Sequence, residues 1–303
     1  MKKRTILLVL GLNLLVFQVF GQNFKQQFND LFSEKDTLGQ IQLLEKWEKS
    51  EPNNPELYVA YFNYYIQRSA QEVIAIGNDP KGEDVLEIID KDSTKEETIA
   101  FMYGDTYYNQ DLLEKGFEAL DKGIAKNPTR LDMRFGKIYM LGQTADYERY
   151  TTEIIKTIDY SAVIKNSWTW TDNKPLEDPQ KFMLGSIQGS VIQLYNTEDE
   201  TLLDNMKRIV EAVLKYYPDN VESLSDLSIV YMEMEEYDKA LEPLLKAEKL
   251  APKDYIVLAN IAQTYKLKGN NKAAIKYYKK VIKYGDEEAK EYAKGQIEEL
   301  GKK

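Results

Sequence analysis

The most constraining feature of this sequence is a spacing of 34 residues between Pro218 and Pro252. Side chains of similar size recur with the same period, so that Leu224, Leu227, Ser228, Tyr231, Ala240, Leu244 and Ala247 are followed by Leu258, Ile261, Ala262, Tyr265, Ala274, Tyr278 and Val281. Moved 124 residues upstream, the frame fits Ala100, Tyr103, Gly104, Tyr107, Gly116, Leu120 and Gly123. The windows 97–130, 221–254 and 255–288 therefore share one template, as in chains built from stacked similar units.

Apolar residues recur at three- and four-residue intervals along most of the chain, which predicts α-helices. Ser93 and Glu96 have the spacing of a capping box and predict a helix start before the 97–130 window. Two antiparallel helices approach closely only where small side chains meet. The template supplies such residues on the first helix (Ser228, Ala262, Gly104) and on the second (Ala240, Ala274, Gly116). The sequence therefore predicts an all-α chain of helical hairpins that bury their faces by stacking.

The large and small positions of this 34-residue unit resemble those of the tetratricopeptide repeat family. The resemblance implies a right-handed α-solenoid of stacked antiparallel helix hairpins with a terminal capping helix. It is clear over about 100 residues. We expect the cap after the last repeat, where one face of a charged helix carries Ala289, Tyr292, Ala293, Ile297 and Leu300.

Breaks in the pattern suggest how the chain is organised. Residues 1–21 read as a signal peptide and 22–92 as divergent N-terminal helical hairpins, with Phe62 where the family has a small residue. Residues 93–160 read as TPR-like repeats, 161–180 as an irregular connection holding Trp168 and Trp170, and 181–303 as TPR-like repeats plus the capping helix.

The composition excludes most familiar enzyme designs, because the chain contains no His and no Cys. It cannot form a Ser-His-Asp triad, a His- or thiolate-ligated metal site or a disulfide. The formal net charge of −10 disfavours nucleic-acid binding, which needs a basic face. We expect no cofactor, no metal and no catalytic residue, since carboxylate pairs such as Glu235 and Glu236 fit a solvated surface better than an active site.

The resemblance also implies where a partner protein would bind. In this family the first helix of each hairpin usually lines the concave ligand groove. The corresponding residues are Phe101, Asp105, Tyr108, Ser225, Ile229, Met232, Asn260, Gln263 and Lys266. The family's clamp for C-terminal carboxylates needs Lys and Asn at positions that this chain fills otherwise, so we do not expect capture of acidic tails. The mixed apolar and acidic lining of the groove fits an extended or helical partner segment with some basic character. The predicted function is a non-enzymatic protein-interaction scaffold.

Two alternatives remain open. Trp168 and Trp170 alternate in an irregular stretch, so one could pack inward while the other is free to contact a partner or a sugar. With exposed tyrosines they could form a glycan-binding module of the cell envelope. An enzyme ranks third, because it would require a carboxylate pair in a deep cleft that the sequence does not indicate.

The first residues predict export. Lys2, Lys3 and Arg4 precede an apolar run from Ile6 to Phe20, and Gly21 suits cleavage ahead of Gln22. We expect a protein of the bacterial periplasm or the extracellular medium, without a stable membrane anchor after cleavage, that binds another envelope or secreted protein or peptide. The charged terminal helix predicts a monomer.

Overall fold

The computed structural model describes residues 24–78, 85–90 and 97–302, and the predicted signal peptide lies outside these ranges. The described chain is predominantly helical, as predicted. It divides into two compact units: the first contains the chain up to Lys137 together with Trp170–Lys174, and the second contains Ile138–Thr169 and the chain from Pro175 onward. In the described ranges, no helix is both long enough and apolar enough to cross a membrane.

The first unit is built on helices α1 (24–33), α2 (Thr37–Ser50), α3 (Pro55–Ser69) and α4 (Gln110–Lys126), followed by the start of α5 (Leu131–Gln143). Trp47 is fully buried among α1, α2 and α3, and its ring stacks on Phe24 with 5.7 Å between the ring centroids. The helices begin at polar caps. Asn54 and Asn109 each accept a hydrogen bond from a first-turn amide, which satisfies a donor that the helix itself leaves unpaired.

An antiparallel three-stranded sheet is inserted between α3 and α4. Its strands are β1 (Ala70–Gly77), β2 (Val85–Asp90) and β3 (Glu97–Tyr108), in the spatial order β1-β3-β2. Ala70 pairs with Tyr108 at the helical end of the sheet. The sheet therefore replaces the short turn that would otherwise join two helices of one hairpin.

The prediction of a helix over the first part of the 97–130 window is wrong, because these residues form β3. Gly104, expected at a tight helix contact, lies on this strand, and among the described residues no atom beyond its chain neighbours comes within 4 Å of where a Cβ would stand. The expectation of helical hairpins throughout 22–92 also fails at β1 and β2. The capping-box residues Ser93 and Glu96 lie outside the described ranges. The β-branched residues of β1 and β2 favour a pleated sheet and give 97–108 its strand partners.

The true partner of α4 is α3. A Cβ added to Gly116 would lie 3.4 Å from the Phe62 ring, and one added to Gly123 would lie only 2.7 Å from the Cβ of Tyr58. The predicted small-residue contacts on α4 therefore exist, but they are made to a helix that lies before the sheet in the chain.

A buried ionic network ties the first unit together. Arg130, fully buried at the start of α5, pairs through Nη1 with Glu56 Oε1 and through Nη2 with Asp132 Oδ2, both at 2.7 Å. Glu56 also accepts a hydrogen bond from the Asp172 amide at 2.9 Å, and the Asp172 carboxylate pairs with Lys25 at 2.6 Å. Because Asp172 belongs to the Trp170–Lys174 segment, this network attaches that segment to α3 and α5.

The second unit contains the end of α5 and eight further helices. These are α6 (Tyr147–Val163), α7 (Pro179–Tyr195), α8 (Leu203–Tyr216), α9 (Val221–Glu233), α10 (Tyr237–Leu250), α11 (Tyr255–Leu267), α12 (Asn271–Tyr284) and α13 (Glu287–Gly301). Two short 3₁₀ turns are described, one at Glu200–Leu202 and one at Thr171–Asn173, which belongs to the first unit. Two-residue strands lie at Thr169–Trp170 (β4) and Lys174–Pro175 (β5).

The predicted hairpins 221–254 and 255–288 are confirmed as the pairs α9/α10 and α11/α12. Their small residues Ser228, Ala240, Ala262 and Ala274 have no exposed surface. Helix α13 packs on α12 and buries Ala293 and Leu300, as expected of a cap. Successive hairpins share one apolar core, in which each covers the face that its neighbour exposes.

Candidate partner-binding surface

Four helices of the second unit form a row in which each one bonds to the next: α7, α9, α11 and α13. We call this the first-helix row. Gln188 of α7 donates to Asp226 of α9 at 3.0 Å, and Asn260 of α11 donates to Ser225 at 2.8 Å. Lys266 completes the row by binding α13. Side chains of stacked hairpins therefore connect directly across the row.

Asp226 is the most unusual group of the row. The residue is only 7% exposed, and its Oδ2 atom is buried without a hydrogen-bond partner among the described residues. Burial raises the pKa of this carboxyl to about 6; the bond from Gln188 lowers the pKa and the nearby Glu222 charge raises it. Desolvation dominates because the charged form loses its water and gains a single neutral donor.

The predicted contact residues of α9 and α11 do lie together on this row. Ser225 is buried, whereas Ile229 and Met232 are half-buried. On α11, Asn260 and Gln263 are also half-buried. Their accessible edges belong to one surface, but several of their polar atoms already have partners in the chain.

Bonds within the chain occupy two side chains of the row that could otherwise bind a partner. Gln263 accepts a hydrogen bond from the Tyr278 hydroxyl at 3.0 Å. Lys266 donates to Gln296 at 2.6 Å and to Glu299 at 2.9 Å, so its charge is neutralised by the cap helix. The row therefore presents little free positive charge at α11.

An acidic depression of about 310 Å³ opens where α7 and α9 end and α8 begins. Its walls combine apolar side chains, the Tyr195 ring and four carboxylates. The lining residues are Leu194, Tyr195, Asn196, Glu198, Asp199, Glu200, Leu203, Met206 and Glu233. The Tyr195 hydroxyl donates to Glu233 at 3.4 Å. Because no Lys or Arg lines it, this depression favours a ligand group that is cationic and partly apolar.

A second depression, of about 500 Å³, lies between the first halves of α7 and α9. It is lined by Asp178, Gln180, Lys181, Leu184, Gly185, Gln188, Asn220 and Glu222. Gln188 joins it to the buried Asp226. The two depressions occupy opposite ends of the α7–α9 pair, so an extended ligand along these helices could fill both.

Three predicted contact residues lie elsewhere. Phe101, Asp105 and Tyr108 were assigned to the first helix of a hairpin, but they lie on β3 in the first unit. The prediction that they line a helical groove is wrong for the reason given above.

The two tryptophans of the irregular connection differ in burial. Trp168 is 1% exposed; its indole N–H donates to Ser161 Oγ at 2.9 Å, and its ring packs against Tyr160. Asn166 binds both Ser161 and the Tyr217 hydroxyl, which closes the site around the ring. Trp168 is therefore a core residue and cannot contact a partner. Trp170 is half-buried and belongs to the first unit.

Helix α7 contributes residues that the sequence analysis missed. Gln188 and Tyr195 lie on the row, although 182–194 does not fit the 34-residue frame. Their spacing of seven residues, two helical turns, was an available signal for a shared face. Among the described residues, no group of three or more acidic side chains is placed to hold a metal ion.

Comparisons with known proteins give one family match and several distant structural likenesses. A family model described as a tetratricopeptide repeat matches residues 256–284. The C-terminal part of a TPR repeat-containing protein from Cytophaga hutchinsonii is 13% identical at a TM-score of 0.42, covering 86% of this chain and 78% of that one. PilW, a widely conserved type IV pilus biogenesis factor, is 12% identical at a TM-score of 0.38, and the match covers 89% of this chain and 97% of that one.

MamA from Desulfovibrio magneticus RS-1, from residue 41 to its end, is 16% identical at a TM-score of 0.37 and covers 56% of this chain and 84% of that chain. The comparison with curated proteins gave no match. The matched segment coincides with α11 and α12, which form the predicted hairpin 255–288. This match supports a tetratricopeptide repeat at residues 256–284.

Proposed function

We propose that this protein is a non-enzymatic interaction scaffold that binds a segment of a partner protein along the first-helix row. The observation that carries the proposal is the depression beside Tyr195 and Glu233, whose walls hold four carboxylates, several apolar side chains and no basic residue. A partner segment with Lys or Arg next to apolar residues satisfies both parts of this lining. Glu222 and Glu233 are exposed at the two ends of α9 and extend the negative charge along the row.

Rigidity supports the same proposal. The row is cross-linked through Gln188–Asp226 and Ser225–Asn260, and its helices α9, α11 and α13 contribute to one apolar core. A surface that is ordered before binding loses little conformational entropy on association. The glycan alternative loses its main support because Trp168 is buried.

The test is a selection of twelve-residue peptides from a random displayed library by the full chain. We expect enrichment of peptides that carry Lys or Arg beside apolar residues. Glu233→Lys should weaken the selected peptides at least tenfold, because it reverses a charge on the wall of the depression. The matched control is Glu242→Lys on α10, an exposed carboxylate of a second helix, which should bind as the unchanged chain does. Equal losses in both variants, or no enrichment, would refute the proposal.

Export is part of the proposal. The cationic start and apolar run of residues 2–20 support it, and the proposed partner is then another envelope or secreted protein. The measurement is the N-terminal mass of the protein recovered from the producing cells and medium. A mature chain beginning at Gln22 is expected, and an intact Met1 in the cell interior would contradict it.

A further inference from the structure

Neither face of the inserted sheet is buried by the residues that the structure describes. None of the described side chains of β1, β2 and β3 is buried, although many of them are apolar. Ile74 is 75% exposed, Ile76 63% and Leu86 67%. A sheet normally buries at least one face against other parts of the protein. The sheet therefore leaves uncovered the apolar surface that folding usually hides.

The most exposed apolar residues of β1 and β2 lie on one side of the sheet, whereas Val73 and Tyr107 are exposed on the other. The pairing places Ile76, Met102 and Leu86 side by side across the three strands, and Ile74 beside Gly104 on the same side. Because Gly104 has no side chain, a hollow of about 460 Å³ opens next to Ile74 and Glu72. This side offers an apolar row, a hollow and one carboxylate near the start of β1.

The two edges of the sheet differ in how easily they could pair with another strand. The register between β2 and β3 shifts at Ile88 and Ile89, and β2 has six residues. β1 has eight residues in unbroken register with β3 and contains neither Lys nor Pro. Bulges, lysines, prolines and short length are the usual protections of an edge strand. The edge of β1 lacks them.

Charge indicates what kind of strand would fit. Residues 70–108 contain ten carboxylates and three lysines, a net charge of −7 in a chain whose total is −10. None of the strand residues is Lys or Arg, and within the described ranges Glu72, Glu87 and Asp105 form no ion pair. Pairing with a second copy would bring equal negative charges together. A basic partner is favoured instead.

We propose that the edge of β1 binds an extended segment of another protein as an added strand. The segment would place apolar side chains beside Ile74 and Ile76 and a Lys or Arg beside Glu72. Main-chain hydrogen bonds to β1 would supply affinity, and the apolar and acidic positions would supply selectivity. This surface belongs to the first unit and is separate from the first-helix row.

The probe is a labelled peptide, acetyl-Lys-Thr-Ile-Thr-Ile-Thr-Lys-amide, whose Lys and Ile side chains share one face in either strand direction. We expect saturable binding to the full chain by fluorescence anisotropy. Hydrogen exchange should slow at the amides of 70–77. A peptide of the same sequence, N-methylated at alternate residues, retains the charges but not the pairing amides, and it should bind at least tenfold more weakly.

Two exposed positions provide matched charge reversals. Glu72→Lys should weaken binding of the probe at least tenfold, whereas Glu87→Lys on β2 should change it by less than threefold. Equal effects of the two variants, or equal binding of the N-methylated peptide, would show attraction to bulk charge only and would overturn the proposal. The proposal would also be overturned if the probe slowed hydrogen exchange only at the amides of β2, or if the chain without peptide formed a dimer through residues 70–77. Binding of the chain to phosphatidylcholine vesicles that Ile74→Thr abolishes would overturn it as well. The probe also carries the Lys and apolar side chains that suit the first-helix row, so the titrations are repeated in the Glu233→Lys background. Slowed exchange at 70–77 should persist there, which separates failure of this proposal from failure of the first-helix row.

Discussion

The ring of Phe62 on α3 lies 3.4 Å from the point at which Gly116 on α4 would carry a Cβ. At this contact the first helix of the hairpin supplies the large side chain and the second helix supplies the space. The two residues are separated in sequence by the entire inserted sheet. Their contact shows that α3 and α4 form one hairpin whose connection has been enlarged.

This contact and the one at Gly123 predict opposite effects of the same substitution. Gly116→Ala places its methyl at ordinary contact distance from α3 and gains helix propensity, so the free energy of unfolding should stay the same or rise by up to about 1 kcal/mol. Gly123→Ala places its methyl 2.7 Å from Tyr58 Cβ and 2.9 Å from Met133 Sδ. Overpacking there should destabilise by roughly 1–3 kcal/mol. Urea denaturation measures both, and a larger loss for Gly116→Ala would contradict the packing described.

The C-terminal repeats could be predicted from the sequence because their template is local. Ser228, Ala240, Ala262 and Ala274 recur in step, and each meets a helix that directly precedes or follows it in the chain. Periodicity alone is enough in such a case, since a hairpin of two adjacent helices needs no long-range information. The capping helix could be predicted for the same reason.

The N-terminal hairpin could not be predicted because its helices are not adjacent in sequence. Ala100, Tyr103, Gly104 and Tyr107 have helical spacing by coincidence, and a window of twelve residues satisfies more than one pattern. The better signal was the density of β-branched residues in the neighbouring strands, such as Val73, Ile74 and Ile88. Of the candidate site residues on α9 and α11, Ser225 and Asn260 are bonded to each other, and the role of the set in binding stays a prediction. Those on α7 were missed because that helix departs from the template.

The buried guanidinium of Arg130 should be essential to the first unit. Arg130→Met leaves Glu56 and Asp132 without their main cationic partner in a buried site, and breaking such a pair costs about 3–5 kcal/mol of unfolding free energy. The control is Lys156→Met, which removes an exposed pair with Glu153 and should cost less than about 1 kcal/mol. Denaturant titration compares the two, and similar losses would argue against a special role for the network.

The three tryptophans should differ in accessibility to a quencher in solution. Trp47 and Trp168 are buried and Trp170 is half-buried, so acrylamide should quench mainly the emission of Trp170. Trp170→Phe is expected to remove most of the fluorescence that acrylamide quenches. Trp168→Phe is expected to remove mainly fluorescence that acrylamide does not quench. If Trp168→Phe removed the quenchable part instead, the indole site formed by Ser161 and Tyr160 would be wrong.

The buried carboxyl of Asp226 should make stability fall as the pH rises. Its pKa is about 6 in the folded chain and near 3.8 when exposed, so between these values the folded state binds more protons than the unfolded state. The free energy of unfolding contributed by this group is highest below pH 3.8 and decreases up to pH 6, by about 3 kcal/mol at 1.36 kcal/mol per pKa unit. Asp226→Asn retains the oxygen that accepts from Gln188 but does not titrate.

The measurement is the urea midpoint at pH 5 and at pH 8. The unchanged chain should lose stability between these two pH values, and Asp226→Asn should lose measurably less because the titrating group is gone. The control is Glu222→Gln, which removes an exposed carboxylate one helical turn away and should largely preserve the pH dependence, since desolvation has the larger effect on the Asp226 pKa. If Asp226→Asn and the unchanged chain showed the same dependence on pH, the Oδ2 atom of Asp226 would be hydrated rather than buried.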